Sequence, residues 1–158
     1  GIRDYKVTGV QTCALPILIT EPSLVYFGYT FCPDVCPLDS ARNAEAVDLL
    51  AKRGMSATPV FISVDPKRDT PEVVAEFTKW LHPKMIGLTG TPEQVKAASQ
   101  AYRTYYKAHD DEDEEYYLVD HSTMTYLMLP DHGFVEFFRR DQSAEVVAET
   151  SACFISRS

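Results

Sequence analysis

The sequence predicts an α/β fold, a three-layer sandwich built around a central mixed sheet. The chain has 158 residues, the length of one ordinary domain, and 45% of them are hydrophobic, which is enough for a sizeable core. Short apolar runs typical of buried strands alternate with segments of helical periodicity, which favours parallel strands joined by helices. Near the end, two strand-like runs follow one another directly, which adds antiparallel strands to the same sheet.

The first predicted unit is a strand, a helix and a second strand. Residues 24–29 and 59–64 are apolar runs rich in β-forming residues, as buried strands would be. Between them, residues 38–53 have an apolar face at helical spacing, and Gly54 follows as a natural stop.

Two further helices are each expected to begin after a threonine. Thr70 precedes Pro71, which suits a first helical position, and Thr91 opens a capping-box pattern with Gln94. A brief strand over residues 85–88 separates these helices. The predicted core face of the second helix consists of Val95, Ala98, Tyr102 and Tyr105.

The acidic run 110–115 interrupts the alternation. Six consecutive carboxylates cannot be buried, so we predict a solvent loop or hairpin tip, with docking of a basic partner as the alternative. Strands over 123–129 and 134–139 then form a hairpin, and a last helix begins near Ser143. This element order is that of a thioredoxin-like three-layer α/β sandwich.

The two ends of the chain fit this fold poorly. Residues 1–20 have neither helical nor strand periodicity, and part of them resembles translated sequencing-adapter read-through, so they could be an artefact. We therefore divide the chain into an atypical segment 1–20, a domain over 21–150 and an atypical tail 151–158. Neither Cys13 nor Cys153, one in each end, supports a functional prediction.

The net charge of −8 argues against a nucleic-acid partner, since phosphate binding needs a basic face. A cation or a basic protein is compatible with it. Because no apolar run approaches the ~20 residues that span a bilayer, we expect a soluble chain. Any export signal or membrane anchor is expected upstream of Gly1.

Cys32 and Cys36 form the chemically informative pair, at the junction of the first strand and the first helix. Ligands bind beyond the carboxyl ends of such strands, and a helix start lowers a thiol pKa from ~8.5 toward 3.5–7.5. We therefore expect both sulfurs to ionise near neutral pH. At this spacing they can form a disulfide or share a soft ion such as copper(I) or zinc.

His121 is the candidate third ligand, since its turn is expected to face the first strand–helix junction. Asp120 is a candidate to orient its ring. An ordinary turn histidine is the alternative for His121. The remaining histidines, His82, His109 and His132, are expected at a helix end or in loops.

Two other groups of residues have a functional and a structural interpretation. Met124 and Met128 could be thioether ligands but fit packing better. Asp65 and Asp69 fit turn-forming and capping roles.

Three sequence blocks carry a resemblance to a known family. Residues 25–37, with the motif Cys-Pro-Asp-Val-Cys-Pro, residues 63–71 and residues 119–122 resemble the signatures of the Sco/SenC family in the same order. The resemblance covers about residues 22–150. It implies a thioredoxin-like domain that binds one copper ion, as Cu(I) or Cu(II), through the residues Cys32, Cys36 and His121.

The resemblance also implies a role in cytochrome c oxidase assembly. Family members deliver copper to the binuclear copper centre of that enzyme, or prepare its thiols. The implied partners are the copper-bearing oxidase subunit, other copper chaperones and thiol reductants. The implied location is the periplasmic side of the bacterial inner membrane or the mitochondrial intermembrane space, with an N-terminal membrane helix that we expect upstream of Gly1.

The leading hypothesis is thus a metallochaperone rather than an enzyme. A thiol–disulfide oxidoreductase that uses Cys32 and Cys36 is the alternative, although the common redox motif has two intervening residues and this pair has three. A purely structural disulfide and a peroxidase are weaker alternatives, since a link over three residues restrains the unfolded chain little and no activating base or arginine is evident.

Overall fold

The structure, a computed structural model, describes residues 20–33, 35–111 and 113–158. Its strands are β1 (Ser23–Gly28), β2 (Thr58–Ser63), β3 (Ile86–Leu88), β4 (Tyr106–Ala108), β5 (Val119–His121), β6 (Thr125–Leu129) and β7 (Gly133–Phe138). Its helices are α1 (Val35–Lys52), α2 (Pro71–Leu81), α3 (Pro92–Ala101) and α4 (Ala144–Arg157). Residues 1–19, which include Cys13 and nearly all of the predicted atypical segment 1–20, lie outside the described residues.

Five strands form a mixed sheet in the order β3-β2-β1-β6-β7. β1 pairs parallel with β2 and β2 with β3, whereas β6 pairs antiparallel with both β1 and β7. The predicted mixed sheet is therefore confirmed. β4 and β5 form a separate antiparallel pair on either side of the acidic run, so that run lies at a hairpin tip as expected.

Helices cover both faces of the sheet. On one face, Tyr26 of β1 bonds to Asp39 of α1, and Phe61 of β2 packs on Phe77 of α2 with ring centroids 4.9 Å apart. α4 packs beside α1 over the buried ends of β1, β6 and β7. On the other face, Phe27 meets Tyr102, which directly follows α3, at 5.2 Å. The predicted three-layer α/β sandwich is confirmed.

Hydrogen bonds at the helix ends follow the sequence signals. Thr70 and Ser143 accept bonds from the third N–H of α2 and α4, and Thr91 forms a full capping box with Gln94. After α1, Gly54 adopts a left-handed conformation with φ of 73°. Its N–H and the next one close the helix on the Ala51 and Leu50 carbonyls, which is a Schellman motif.

Three details differ from the predictions. α1 begins at Val35, three residues before the predicted start, and Pro37 is its third residue; the first-turn N–H groups lack helical partners, so no bond is lost. Tyr105, predicted in the core, is 59% exposed, because α3 ends at Ala101 and the chain turns before Tyr105. α4 runs through Arg157, further than the sequence pattern indicated. The division into 21–150 and a tail stays a prediction.

Within the described ranges, no helix combines the length and the apolar character needed to cross a membrane.

The Glu21 side chain links residues near the starts of β1 and β2, and its hydrogen bonds predict a stability that depends on pH. Its carboxylate accepts bonds from the Ser56 and Thr58 hydroxyls and from the Lys84 ammonium group. Burial raises the pKa of this carboxyl, but the three bonds outweigh it and hold the pKa below its ordinary value of 4.5. The stabilisation is therefore present above pH 4.5 and is lost as the pH falls through the folded-state pKa.

We expect Glu21→Gln to lower the free energy of unfolding by about 1 kcal/mol at pH 7, since the bonds lose their charged acceptor. Urea unfolding of both proteins at several pH values measures this difference, which should shrink in acid. A difference that stays constant from pH 7 to pH 3 contradicts the assignment.

Candidate metal centre

Cys32 and Cys36 lie at the carboxyl end of β1, where the chain turns into α1. The turn is closed by a bond from the Cys32 N–H to the Tyr29 carbonyl at 3.3 Å. Cys36 is the second residue of α1, and its N–H donates to Cys32 Sγ at 3.4 Å. First-turn N–H groups have no partner within a helix, so the sulfur satisfies one of them. The predicted interaction of a cysteine sulfur with the helix start is thus present.

His121, the last residue of β5, directs its ring at Cys36. Its Nε2 lies 3.1 Å from Cys36 Sγ, and its Nδ1 lies 2.9 Å from the Ser122 carbonyl oxygen. Since a carbonyl oxygen only accepts, Nδ1 carries the proton and Nε2 presents its lone pair to the sulfur. Burial lowers the pKa of His121 below its ordinary value of 6.5, so the imidazole is neutral at pH 7.

The two sulfurs and the imidazole nitrogen lie within 4.8 Å of one another. Cys36 is fully buried and Cys32 is 8% exposed. Zinc–sulfur and zinc–nitrogen bonds are about 2.3 and 2.0 Å long, so one ion of similar size can reach all three donors after small movements. Across the described ranges, this is the one cluster of three or more His, Cys, Asp or Glu side chains that could hold a metal ion.

The Cys36 thiol departs from the sequence-based expectation. Burial raises its pKa well above the ordinary value of 9.0, and bonds involving Tyr29 and Tyr26 offset this only in part. The expectation that both sulfurs ionise near neutral pH is therefore wrong for Cys36. The helix start acts on Cys32 Sγ, whereas Cys36 Sγ lies in the core. A metal ion that binds Cys36 must displace its proton.

Two buried polar groups beside Cys36 were missed by sequence reasoning. The Tyr26 hydroxyl donates to Asp39 Oδ2 at 3.0 Å, and both side chains are buried. Burial raises the pKa of Asp39 above 3.8, and the Tyr26 bond and two nearby arginines oppose this. Asp39 follows Cys36 by three residues, one helical turn on the same face. That spacing is the signal that could have identified it.

Asp65 and Asp69 shape the turn after β2, as expected, and Asp69 also fastens the cysteine loop. The Asp69 N–H donates to the Asp65 carbonyl at 2.9 Å. The buried Asp69 carboxylate accepts bonds from the Thr30 N–H, the Thr30 hydroxyl and the Ser63 hydroxyl. Thr30 lies two residues before Cys32, so Asp69 holds the loop that presents this sulfur.

The other predicted polar residues lie apart from the cluster. Asp120 does not orient the His121 ring, because its carboxylate lies 2.7 Å from His109 Nε2 and the Ser122 carbonyl takes that role. His82 caps α2 and contacts an α1 carboxylate, and His132 is exposed in the β6–β7 turn.

The methionines and the last cysteine also have structural surroundings. Met124 and Met128 line an apolar cleft of about 400 Å³ with aromatic side chains, and Met128 packs against the core as expected. Cys153 is an exposed free thiol on α4.

Comparisons with known proteins agree with this geometry. The sequence model described as SCO1/SenC matches residues 12–156. Protein SenC of Rhodobacter capsulatus is 62% identical over 138 residues, which cover 87% of this chain and 62% of that protein. The mitochondrial SCO1 homolog 1 of Arabidopsis thaliana is 44% identical over 133 residues, which cover 84% of this chain and 40% of that protein. The chain therefore spans less than two thirds of the length of these relatives.

A solved structure supports the same likeness. Arabidopsis thaliana ScoI with copper bound superposes with a TM-score of 0.83 at 40% identity, covering 90% of this chain and 88% of that one. The predicted thioredoxin-like fold is confirmed by this match.

Proposed function

The chain belongs to the SCO1/SenC family, and we propose that it is a copper metallochaperone. It binds one copper ion through Cys32, Cys36 and His121, and it delivers this ion to the binuclear copper centre of cytochrome c oxidase or prepares the thiols of that centre. The observation that carries the proposal is the convergence of two sulfurs and a neutral imidazole within 4.8 Å. The Arabidopsis relative that superposes on the chain was solved with copper bound.

The donor set suits copper as cargo. Thiolates are soft ligands that favour copper(I), and an imidazole binds copper in either oxidation state. The difference in burial supports an order of transfer, since Cys32 is 8% exposed and Cys36 is fully buried. A cysteine of the acceptor can displace Cys32 first and Cys36 last, so the ion is never released into water.

The proposed partners are the copper-bearing subunit of cytochrome c oxidase, other copper chaperones and thiol reductants. The proposed location is the periplasmic side of a bacterial inner membrane or the mitochondrial intermembrane space. The spread of relatives supports this, because they include a bacterial SenC protein and mitochondrial Sco proteins. An acidic chain is also compatible with a cationic cargo.

A thiol–disulfide oxidoreductase is the second candidate, and one observation favours it. Both thiols are free, their sulfurs lie within 4.8 Å of each other, and Cys32, which is 8% exposed, accepts the Cys36 N–H bond at the start of α1 through its Sγ. Cys32 would attack a substrate disulfide and Cys36 would resolve the mixed disulfide, which oxidises the pair and reduces the substrate. Insulin reduction with a thiol donor tests this candidate. A rate no faster than that of a free dithiol rejects it.

Spectroscopy tests the role of His121 in the copper proposal. We expect the reduced protein to bind one equivalent of copper and the copper(II) form to show a thiolate charge-transfer band and nitrogen coupling in EPR. In His121→Ala the nitrogen coupling should disappear and the band should weaken, since the imidazole is the single nitrogen donor of the proposed set. The matched control is His132→Ala, at an exposed turn. Identical spectra in wild type and His121→Ala would remove His121 from the site.

A further inference from the structure

Arg68 contacts the segment that leads to His121. Its side chain is 12% exposed, and its guanidinium carbon lies 3.5 Å from the centre of the Tyr117 ring. Its Nε donates to Asp65 Oδ2 at 2.7 Å, and its Nη1 donates to the Glu115 carbonyl at 3.4 Å. The Tyr117 hydroxyl donates to the other oxygen of Asp65. Arg68 therefore packs on the ring face of Tyr117, while Asp65 accepts the hydrogen bond from the Tyr117 hydroxyl.

The same guanidinium also contacts the cysteine loop. It lies 4.8 Å from the centre of the Phe31 ring and 5.8 Å from that of Tyr29. Phe31 directly precedes Cys32, and the Tyr29 ring meets the His121 ring edge-on at 5.7 Å. A planar cation stacks on aromatic faces in a way that an ammonium group does not reproduce. Arg68 thus touches both chain segments that supply the proposed ligands.

These contacts matter because strand pairing does not hold the two segments together. β4 and β5 form their own two-stranded sheet, and in the described residues no ladder joins them to the five-stranded sheet that ends in the cysteine loop. The short linker from His121 to Thr125 of β6 ties the end of β5 to the main sheet, and side chains set the position of the rest of the hairpin. Tyr117 and Val119 are buried in the main core, and Arg68 supplies the polar and stacking contacts above them.

We infer that Arg68 is a positioning residue for the proposed copper site: its guanidinium holds the β4–β5 hairpin against the cysteine loop, so that His121 stays within reach of both sulfurs. This inference rests on the proposed function. Arg68 touches neither the sulfurs nor the imidazole, so it acts through Tyr117 and Tyr29. Partners that orient metal ligands from outside the coordination sphere typically contribute 10–100-fold to metal affinity.

The test compares Arg68→Ala and Arg68→Lys with wild type in two measurements. Copper(II) affinity is measured by competition with a chelator, and the contact between the His121 and Tyr29 rings is measured by NOE in the metal-free protein. We expect Arg68→Ala to lose this NOE and to bind copper(II) roughly 10–100-fold more weakly. Arg68→Lys keeps the charge without the planar fork, so it should also lose affinity. If Arg68→Ala does not fold, Arg68→Lys provides both readouts.

Lys84→Ala is the matched control, because Lys84 makes three hydrogen bonds at the opposite end of the sheet. It should lower thermal stability while it leaves the NOE and the copper affinity unchanged. An Arg68 variant with the NOE retained, or with wild-type copper(II) affinity, overturns the inference. If wild type itself binds no copper, the proposed function fails, and the NOE still decides whether Arg68 positions His121.

Discussion

Replacing Cys36 with alanine is expected to weaken copper(I) binding by more than about 100-fold, because losing even an indirect partner of a metal ligand costs 10–100-fold. Cys36 supplies one of the two soft donors, and its sulfur lies 3.1 Å from Nε2 of His121. Without it, Cys32 and His121 remain as a mixed pair, which is a poorer match for copper(I) than two thiolates.

Competition with a copper(I) chelator under reducing conditions measures this change. Cys153→Ala is the matched control, since it is the same substitution at an exposed thiol on α4. The control should bind one equivalent with wild-type affinity. Circular dichroism and thermal unfolding of both metal-free variants establish that they are folded. Equal affinity in wild type and Cys36→Ala would exclude Cys36 as a ligand.

The same substitution has a pH signature. Burial raises the pKa of the Cys36 thiol, so copper binding to this sulfur must release a proton at neutral pH. The apparent copper(I) affinity of wild type should therefore rise with pH through the neutral range. In Cys36→Ala the rise should be smaller, because the proton with the raised pKa is gone. Parallel pH profiles in the two proteins would contradict this assignment.

The element order and the ligand set could be predicted because both have local signals. Three helix starts are predicted from Thr70, Thr91 and Ser143, since each capping hydrogen bond joins residues only three positions apart. The structure has all three. Cys32 and Cys36 are likewise a local motif. His121 could be linked to them through the expected topology, which brings the end of β1 close to the chain before β6, and through the resemblance of residues 119–122 to a family block.

The supports of the site could not be predicted, because they depend on pairs far apart in sequence. Tyr117 and Asp65 are 52 residues apart, and no periodicity in the chain indicates their contact. β4 and β5 have three residues each, too few to show an alternating pattern. The raised pKa of Cys36 was missed for a related reason. A helix start can be read from sequence, but the depth at which its second residue is buried cannot.

A single methyl group at Gly28 is expected to disturb both the fold and the site. A Cβ at this position would lie 2.9 Å from Tyr26 Cε1, 3.0 Å from Cys36 Sγ and 3.1 Å from Phe61 Cε2. These three side chains are buried and cannot turn into solvent. Overpacking of a closed core costs about 1–3 kcal/mol, so Gly28→Ala should lower the melting temperature by several degrees.

The side-chain movements that relieve the clash at position 28 also determine the copper(I) affinity. Cys36 Sγ is one of the three atoms that must move, so copper(I) affinity should fall together with stability. Gly87→Ala is the matched control, since its Cβ would lie 2.6 Å from Val74 Cγ1 and 2.8 Å from Thr78 Cγ2 under α2. It should destabilise the fold at least as much while copper(I) affinity stays at the wild-type value. If Gly28→Ala loses stability but keeps full affinity, the sulfur has freedom to move that its packing against Gly28 does not predict.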